Sequence, residues 1–266
     1  MASRKPTIVI AGRGKIARHI QRYFSRRDYK CFFFESLKGR HLRLETDLVL
    51  LNASGPSRED LEADTTAQVL RWIEHVGKID EFLQLQKRPF MLLHLSSVHA
   101  SSPTDIYGIM HACIENLLEF WLASVNSRIE GSLCIARLCN VFGLGHQSNS
   151  RGLIDFLASS SNLNIINMNV KKPSDERDFI DINYVLRVLE ILIAEKSKSA
   201  KKITVGSGKV ISIGALLNCL RTDCAPVYKA IEANEYSNFR GEIFLHSAKL
   251  YPELQAVDPV DFINNS

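Results

Sequence analysis

The 266-residue chain has no Cys-x-x-Cys pair. Its six cysteines stand apart at 31, 113, 134, 139, 219 and 224, several of them inside apolar runs where a free thiol behaves as a small hydrophobe. That spacing indicates neither a disulfide framework nor a zinc site. His94, His99 and His146 lack metal-ligand spacing with carboxylates or cysteines, so they read as structural and no metal is expected. Nowhere do eighteen uncharged apolar residues follow one another, and the basic start MASRKPTIVIAGRGK carries only a short apolar run. The expectation is a cytoplasmic protein with no membrane insertion. No linker rich in proline, glycine or serine separates independent domains, and no internal repeat is evident. Charge of one sign is also scarce: 33 basic residues face 29 acidic ones, a net of +4 spread along the chain. Without the clustered excess of a nucleic-acid binder, no nucleic-acid partner is expected, and a phosphate-bearing small molecule fits better. The basic clusters Lys171-Lys172 and Lys196 to Lys202 read as solvated surface.

What is present is the composition of a packed globular protein, 45% hydrophobic and 23% charged. Thr7 to Ala11 is a short β-branched run that breaks into Gly12-Arg13-Gly14, after which Ile16, Ala17, Ile20 and Phe24 recur at helical spacing. Lys30 to Phe34 predicts a second, buried strand ending at Glu35, and Leu48 to Asn52 a third. Glu59 to Gln86, with Leu61, Val69, Trp72, Ile73 and Val76, suits one or two helices and leads into a strand over Phe90 to Leu95. The next helix begins near Tyr107, with Ile109, Ile114, Leu117, Leu118 and Trp121 on an inward face, and Ser132 to Arg137 resumes strand character. This alternation predicts an α/β fold, a Rossmann-type doubly wound parallel sheet covered by helices on both faces. Beyond Gly143 the rhythm is less regular, with helices over Leu153 to Ala158 and Asn183 to Ala194 around an Asn-rich piece; a small C-terminal substrate-binding part is expected there. The division drawn is 1–143 with 177–203 for the dinucleotide-binding domain and 144–176 with 204–266 for the substrate-binding part.

Ala11-Gly12-Arg13-Gly14-Lys15-Ile16-Ala17 lies between the first strand and the first helix, where glycines at 12 and 14 permit a tight turn and close backbone approach to a pyrophosphate. Glu35 follows at about the distance where a carboxylate accepts from both ribose hydroxyls and repels a 2′-phosphate, which favours NAD. Arg13 could pair with that 2′-phosphate, which favours NADP. The choice stays open between the two, leaning to NAD.

A second constellation begins at Leu95-Ser96-Ser97 on a strand end and continues through Ser102-Pro103-Thr104-Asp105-Ile106-Tyr107-Gly108-Ile109-Met110-His111 into a helix with Glu115. With Arg137-Leu138-Cys139-Asn140-Val141-Phe142-Gly143, Arg177-Asp178-Phe179-Ile180-Asp181-Ile182 and Val205-Gly206-Ser207-Gly208, in that order over most of the chain, the sequence resembles the extended short-chain dehydrogenase/reductases, the nucleotide-sugar epimerases, dehydratases and 4-ketoreductases. The resemblance implies a Ser, Tyr and Lys active site, at positions held here by Ser97, Tyr107 and His111. Tyr107 would exchange a proton with a sugar hydroxyl or carbonyl, Ser97 would polarise the carbonyl, and a nearby cation would lower the phenol pKa from about 10. His111 departs from the pattern: an imidazole with a reference pKa of about 6.5 is mostly neutral at pH 7. Three readings stand: His111 substitutes for the lysine, another cation takes the place, or the chain binds ligands without hydride chemistry.

The resemblance further assigns Gly12, Arg13, Gly14, Lys15, Ile16, Glu35, Ala53, Tyr107 and His111 to the cofactor. It assigns Asn140 and Arg177, with Ser97, to a nucleotide-sugar substrate. An arginine suits a diphosphate because its planar fork gives two parallel charged hydrogen bonds, although Arg177 has Asp175 and Asp178 as simpler ion-pair partners. The stretch between Ser97 and Tyr107 is shorter than the family's, and Val98-His99 stands where a dehydratase has an Asp-Glu pair, which disfavours dehydration. The expected activity is NAD(P)-dependent 4-keto reduction or epimerisation of a nucleotide-activated sugar, reduction preferred, in a homodimer packed through helices flanking the catalytic one. The alternative is a catalytically degenerate dinucleotide-binding or interaction protein of the same fold.

Overall fold

The computed structural model describes residues 5–37, 46–85, 89–125, 130–145, 152–159, 172–195, 201–222, 229–230 and 245–265. His146, Lys171, Cys224, most of the 196–202 cluster and the Asn-rich piece lie outside them. The chain forms two compact units, residues 1–137 with 192–203 and residues 138–191 with 204–266.

In the first unit the order is β1 (Thr7–Ala11), α1 (Lys15–Ser25), β2 (Cys31–Phe33), β3 (Leu48–Asn52), α2 (Arg58–Ala63), α3 (Thr65–Gln84), β4 (Phe90–Ser97), α4 (Ile106–Val125) and β5 (Gly131–Leu138, its last residue in the second unit). In the second unit follow β6 (Asn140–Phe142), α5 (Leu153–Ser159), β7 (Glu176–Arg177), β8 (Phe179–Asp181), α6 (Ile182–Glu195, its last turn in the first unit) and β9 (Lys201–Val205, its first residues in the first unit). Then come β10 (Lys209–Ser212), α7 (Ile213–Thr222), β11 (Lys229–Ala230), β12 (Leu245–His246), α8 (Ser247–Leu250) and α9 (Pro259–Asn264).

The first unit is built on a parallel sheet in the order β9–β5–β4–β3–β1–β2. Register is fixed by mostly apolar runs that are buried at every position: Val9 pairs with Leu50 and Leu50 with Leu92. Because side chains alternate across a strand, continuous runs require both faces to be covered. Val9, Leu48, Leu50 and Leu92 pack into one cluster with Trp72, Val76 and Ile79 of α3 and Ile114, Leu118 and Trp121 of α4. Ala17, Ile20 and Phe24 form the buried stripe of α1. The doubly wound α/β sheet predicted from the sequence is therefore present.

Two burial expectations are corrected. Strand β2 is at the sheet edge and its Phe32 is exposed, because an edge strand has one neighbour only. Ile109 and Leu117 of α4 face outward, since that helix carries apolar residues on more of its circumference than one face of the sheet can cover.

In the second unit β6 pairs in parallel with β8, Asn140 opposite Phe179, while β10 lies antiparallel between β7 and β11. Its core gathers Phe142, Ile154, Leu157, Phe179, Ile211, Leu216, Val260 and Ile263. Asp155 secures the turn after β6 by accepting from the Gly143 N–H at 2.8 Å. Strand β12 lies next to β9, whose last residues, Thr204 and Val205, belong to this unit.

Candidate active site

Glycine is required at position 12. Its φ of +105° strains any L side chain, and a Cβ there would stand 2.9 Å from the Ala53 carbonyl and the Ser54 amide. The Ala53 N–H also donates to Ala11 at 2.9 Å, so the loop after β1 and the loop after β3 lie against each other. Gly14 ends the turn as the N-cap of α1, with no side-chain cap and no acidic residue in the first turn. The first amides of α1, beginning with Lys15 and Ile16, are thus left with the partial positive charge that attracts a phosphate. Glu35, in the turn after β2, accepts from the Gly12 N–H at 2.9 Å, and the Arg13 guanidinium lies 3.8 Å from the same carboxylate. The two residues whose preferences oppose each other are therefore paired, across solvent-exposed side chains where an ion pair contributes little.

Ser97, Tyr107 and His111 come together at the C-terminal end of β4. The strand runs two residues further than its apolar core, placing Ser96 and Ser97 at its end. Helix α4 starts at Ile106, where Asp105 accepts from the Gly108 N–H at 2.8 Å. Gly108 lets that helix approach the turn after β4: a Cβ there would stand 2.6 Å from the His99 carbonyl. Tyr107 and His111 are one helical turn apart, with ring centroids 4.6 Å from each other, and His99 lies edge-on to Tyr107 at 5.8 Å. Ser97 also accepts from the His99 amide at 3.3 Å, the ordinary task of a strand-end hydroxyl.

Burial pushes the Tyr107 phenol above the ordinary tyrosine value, against the opposing effects of a hydrogen bond with Ser97 and the charge of Arg58. Burial pushes His111 down to about 4, with His94 and His99 adding to the shift and Glu115 opposing it, so the ring is neutral at pH 7. Arg58 of α2 is the cation nearby. Its guanidinium lies 5.4 Å from the Tyr107 ring centroid, over the ring, and pairs with Asp105 at 2.8 Å.

The glycine loop and helix α4 meet the same short segment. Ala53 abuts Gly12, while a Cβ on Gly55 would stand 3.4 Å from Cε1 of His111. Sequence reasoning named Ala53 but not the polar residues around it: Asn52, Ser54, His75 and Arg58. The readable signal was the break of the apolar runs into Asn52 at the end of β3 and His94 near the end of β4, which pair in register. Below the site, Ser96 donates to Glu115 at 2.6 Å, and Arg137 grips both oxygens of that carboxylate.

In the second unit the Asn140 amide donates to the Asp178 carbonyl at 3.2 Å. Arg177 pairs with Asp175 at 3.0 Å, the simpler partner named from the sequence. Arg177 also lines a cavity of about 370 Å3 with Ser207, Lys209, Ile211, Tyr184 and Val257. Burial pushes the Asp178 carboxyl up to about 6, although it accepts from Ser207 and Gly208. Among the described residues no group of three or more His, Cys, Asp or Glu could hold a metal ion, and no helix is long and apolar enough to cross a membrane.

Solved structures share this architecture. UDP-glucose 4-epimerase from Thermotoga maritima, determined with UDP-glucose, is 15% identical with a TM-score of 0.67, over 97% of this chain and 96% of that one. RMD from Pseudomonas aeruginosa, complexed with NADPH, is 14% identical with a TM-score of 0.65, over 97% and 96%. An NAD-dependent NDP-hexosamine 5,6-dehydratase of tunicamycin biosynthesis is 14% identical with a TM-score of 0.62, over 98% and 96%. No family model matches the chain, and the search of curated proteins found no match. The chain has the fold of these nucleotide-sugar epimerase and dehydratase structures, as the resemblance to extended short-chain dehydrogenases implied.

Proposed function

We propose that this protein is an NAD(P)-dependent oxidoreductase of nucleotide-activated keto-sugars, acting as a 4-ketoreductase. The observation that carries the reading is the segment Ala53–Gly55, lying against the glycine turn at Gly12 and the catalytic-helix ring of His111. Gly12, Arg13, Gly14, Lys15, Ile16, Glu35 and Ala53 would hold the dinucleotide, whose nicotinamide supplies hydride when bound. The solved structures of this fold with NAD and NADPH bound support a nicotinamide cofactor. Glu35, held on Gly12 and offsetting the charge of Arg13, favours NAD.

Reduction is favoured over epimerisation by the state of Tyr107. A phenol raised above about 10 keeps its proton at neutral pH, so it is a donor to a carbonyl oxygen that receives hydride. Epimerisation would begin instead with a phenolate taking a hydroxyl proton, a form that a phenol raised above its ordinary value does not populate at neutral pH. Ser97 would hydrogen-bond the carbonyl. In the second unit Arg177, joined by Lys209 in the same cavity, would bind the nucleotide diphosphate, with Asn140 beside Asp178. The division of labour between the units, cofactor in one and substrate in the other, is part of the same proposal, as is a cytoplasmic location. The second reading, a dinucleotide-binding protein without hydride chemistry, is favoured by the neutral histidine at the lysine position.

Calorimetric titration with NAD, NADP and their reduced forms tests the cofactor. The expected result is micromolar binding of one dinucleotide, tighter for NAD; binding of none would overturn the oxidoreductase reading. Binding without turnover of any nucleotide keto-sugar would leave the second.

A homodimer belongs to the same proposal. Helices α3 and α4 leave Leu70 and Ile73, and Ile109, Leu117 and Phe120, exposed, Phe120 at 78%. Exposed apolar side chains on two helices of one unit suit a second copy of itself. Phe120→Asp is expected to turn a dimer into a monomer by light scattering; a monomeric wild-type protein would remove this part of the proposal.

A further inference from the structure

The positive excess of the chain, spread out when counted over its whole length, is concentrated on α1. Between Arg13 and Lys30 seven lysines and arginines face a single acid, Asp28, so the rest of the chain is slightly acidic. The helix then sorts these residues. At about 100° per residue, Lys15, Arg18, Arg22 and the C-cap Arg26 fall within an arc of roughly 80°, opposite the buried stripe of Ala17, Ile20 and Phe24. Arg18, Arg22 and Arg26 are exposed and Lys15 is half-buried.

Among the described residues nothing neutralises this stripe. None of the four makes an ion pair, and Arg18 gives one N–H to the Arg13 carbonyl at 3.2 Å. The arrangement works against the helix itself. Arg18 and Arg22, like Arg22 and Arg26, are equal charges four residues apart, which repel. Lys15 stands in the first turn, where the helix dipole favours an acid and none is present. The neighbouring helices are mixed in sign: α2 carries Arg58 beside Glu59 and Asp60, and α3 pairs Lys78 with Glu74 at 2.6 Å. A stripe of one sign, unpaired and self-repelling, is explained by an anion that comes from outside the chain.

The chemistry of the stripe narrows that anion. Three of its four members are arginine, whose planar fork takes two phosphate oxygens at once. A dinucleotide at the glycine turn accounts for Lys15, but Arg22 and Arg26 lie roughly 10 and 16 Å further along the helix axis, beyond the reach of one pyrophosphate. A row of phosphates fits the length. A bilayer also presents phosphates, yet stable adsorption needs a second, apolar signal, and α1 turns its apolar side chains to the core and exposes none of the large ones. A nucleic acid needs phosphate contacts alone for sequence-independent binding. At the far end of the stripe, on its flank, the Arg27 guanidinium lies over the Tyr23 ring at 3.7 Å, the kind of ring-and-guanidinium surface on which an unpaired base stacks.

We propose that the outer face of α1 is a sequence-independent docking surface for a single-stranded nucleic acid. Arg18, Arg22 and Arg26 hold its phosphates, and Tyr23 with Arg27 takes a base. This reverses the expectation of no nucleic-acid partner, which rested on charge counted over the whole chain. The surface lies outside the catalytic residues, and its role is independent of the reaction proposed above.

The test is fluorescence anisotropy of the full chain with labelled oligouridine or oligodeoxythymidine of about 16 nucleotides, the upper site size of a single-strand groove. The expected Kd is roughly 10⁻⁴ to 10⁻⁶ M, with log K falling against log salt at a slope of about −2, three phosphates at about −0.7 each. Arg22→Gln with Arg26→Gln is expected to weaken binding by about tenfold or more and to make the slope shallower by about 1.4. Both positions are exposed and glutamine is a comparable helix former, so the thermal midpoint should hold. Lys172→Gln with Lys249→Gln removes the same charge from exposed positions of the second unit and is expected to leave binding unchanged. Similar affinity for both oligonucleotides supports recognition by phosphate and base alone, and tighter binding of one names the strand that docks. No binding of either, or an equal loss in the two double variants, overturns the proposal. So does adsorption to phosphatidylcholine vesicles containing phosphatidylserine with no binding of either oligonucleotide, which would assign the stripe to a membrane surface. None of these outcomes depends on whether a dinucleotide binds, so this surface and the oxidoreductase reading stand or fall separately.

Discussion

Tyr107→Phe is expected to lower kcat for reduction of a nucleotide-linked keto-sugar by roughly 10²–10⁴-fold, the range lost with a positioned general acid. Dinucleotide affinity should change little. The substitution removes one oxygen and keeps the ring, which packs at the edge of the core cluster around Trp72 and Ile114 and against His111. A loss confined to kcat is the signature of a group that acts in the transition state. Equal turnover by the variant would take Tyr107 out of the mechanism.

The pH dependence of that activity follows from the direction of the phenol shift. A donor works while it holds its proton, and burial holds the Tyr107 proton to a pH above the ordinary tyrosine value of about 10. Tyr107 therefore imposes no fall in kcat through neutral pH and the mildly alkaline range. A lysine-assisted phenol would lose activity as donor earlier, because the cation favours phenolate. The departure at position 111 thus has a chemical direction.

The strands were legible because β1, β3 and β4 are short, mostly apolar runs, buried at every position, that break into glycine, asparagine or serine, which is how parallel strands buried on both faces read. The glycine turn was legible for the same reason: it interrupts an apolar run where a helical period begins. Helix faces were less so. Periodicity could not tell Ile114 from Ile109, because α4 is apolar around most of its circumference. The partners of charged groups were not legible at all. Arg58 lies in an ordinary Ser-Arg-Glu-Asp helix start, and only the approach of α2 to α4 brings it over Tyr107. Arg13 and Glu35 had been set against each other as separate preferences; that they pair is a matter of distance across 22 residues, for which a sequence carries no local signal.

Glu115→Gln is expected to destabilise the protein by about 3–5 kcal/mol, the cost of leaving a buried charge without its counter-ion. Glu115 and Arg137 are 1% and 2% exposed, and Arg137 makes a two-pronged contact with the carboxylate. Urea denaturation should show a lower midpoint with an unchanged slope; a change under about 1 kcal/mol would show that the pair is not what holds α4 to the sheet. Replacing the whole network by apolar residues, Ser96→Ala with Glu115→Leu and Arg137→Met, is expected to recover most of that loss, because both charges are then spared desolvation. Activity should not recover with it. Ser96 is the neighbour of Ser97 on β4, and Glu115 stands one turn beyond His111 and two beyond Tyr107 on α4, so the Ser96–Glu115 bond fixes the register between the strand that carries the hydroxyl and the helix that carries the phenol. An apolar contact in its place is non-directional and permits sliding, and a misplacement of about 1 Å can cost on the order of 10²-fold in rate. Stability restored without turnover is the outcome that would assign this buried network to positioning; turnover restored together with stability would assign it to folding alone.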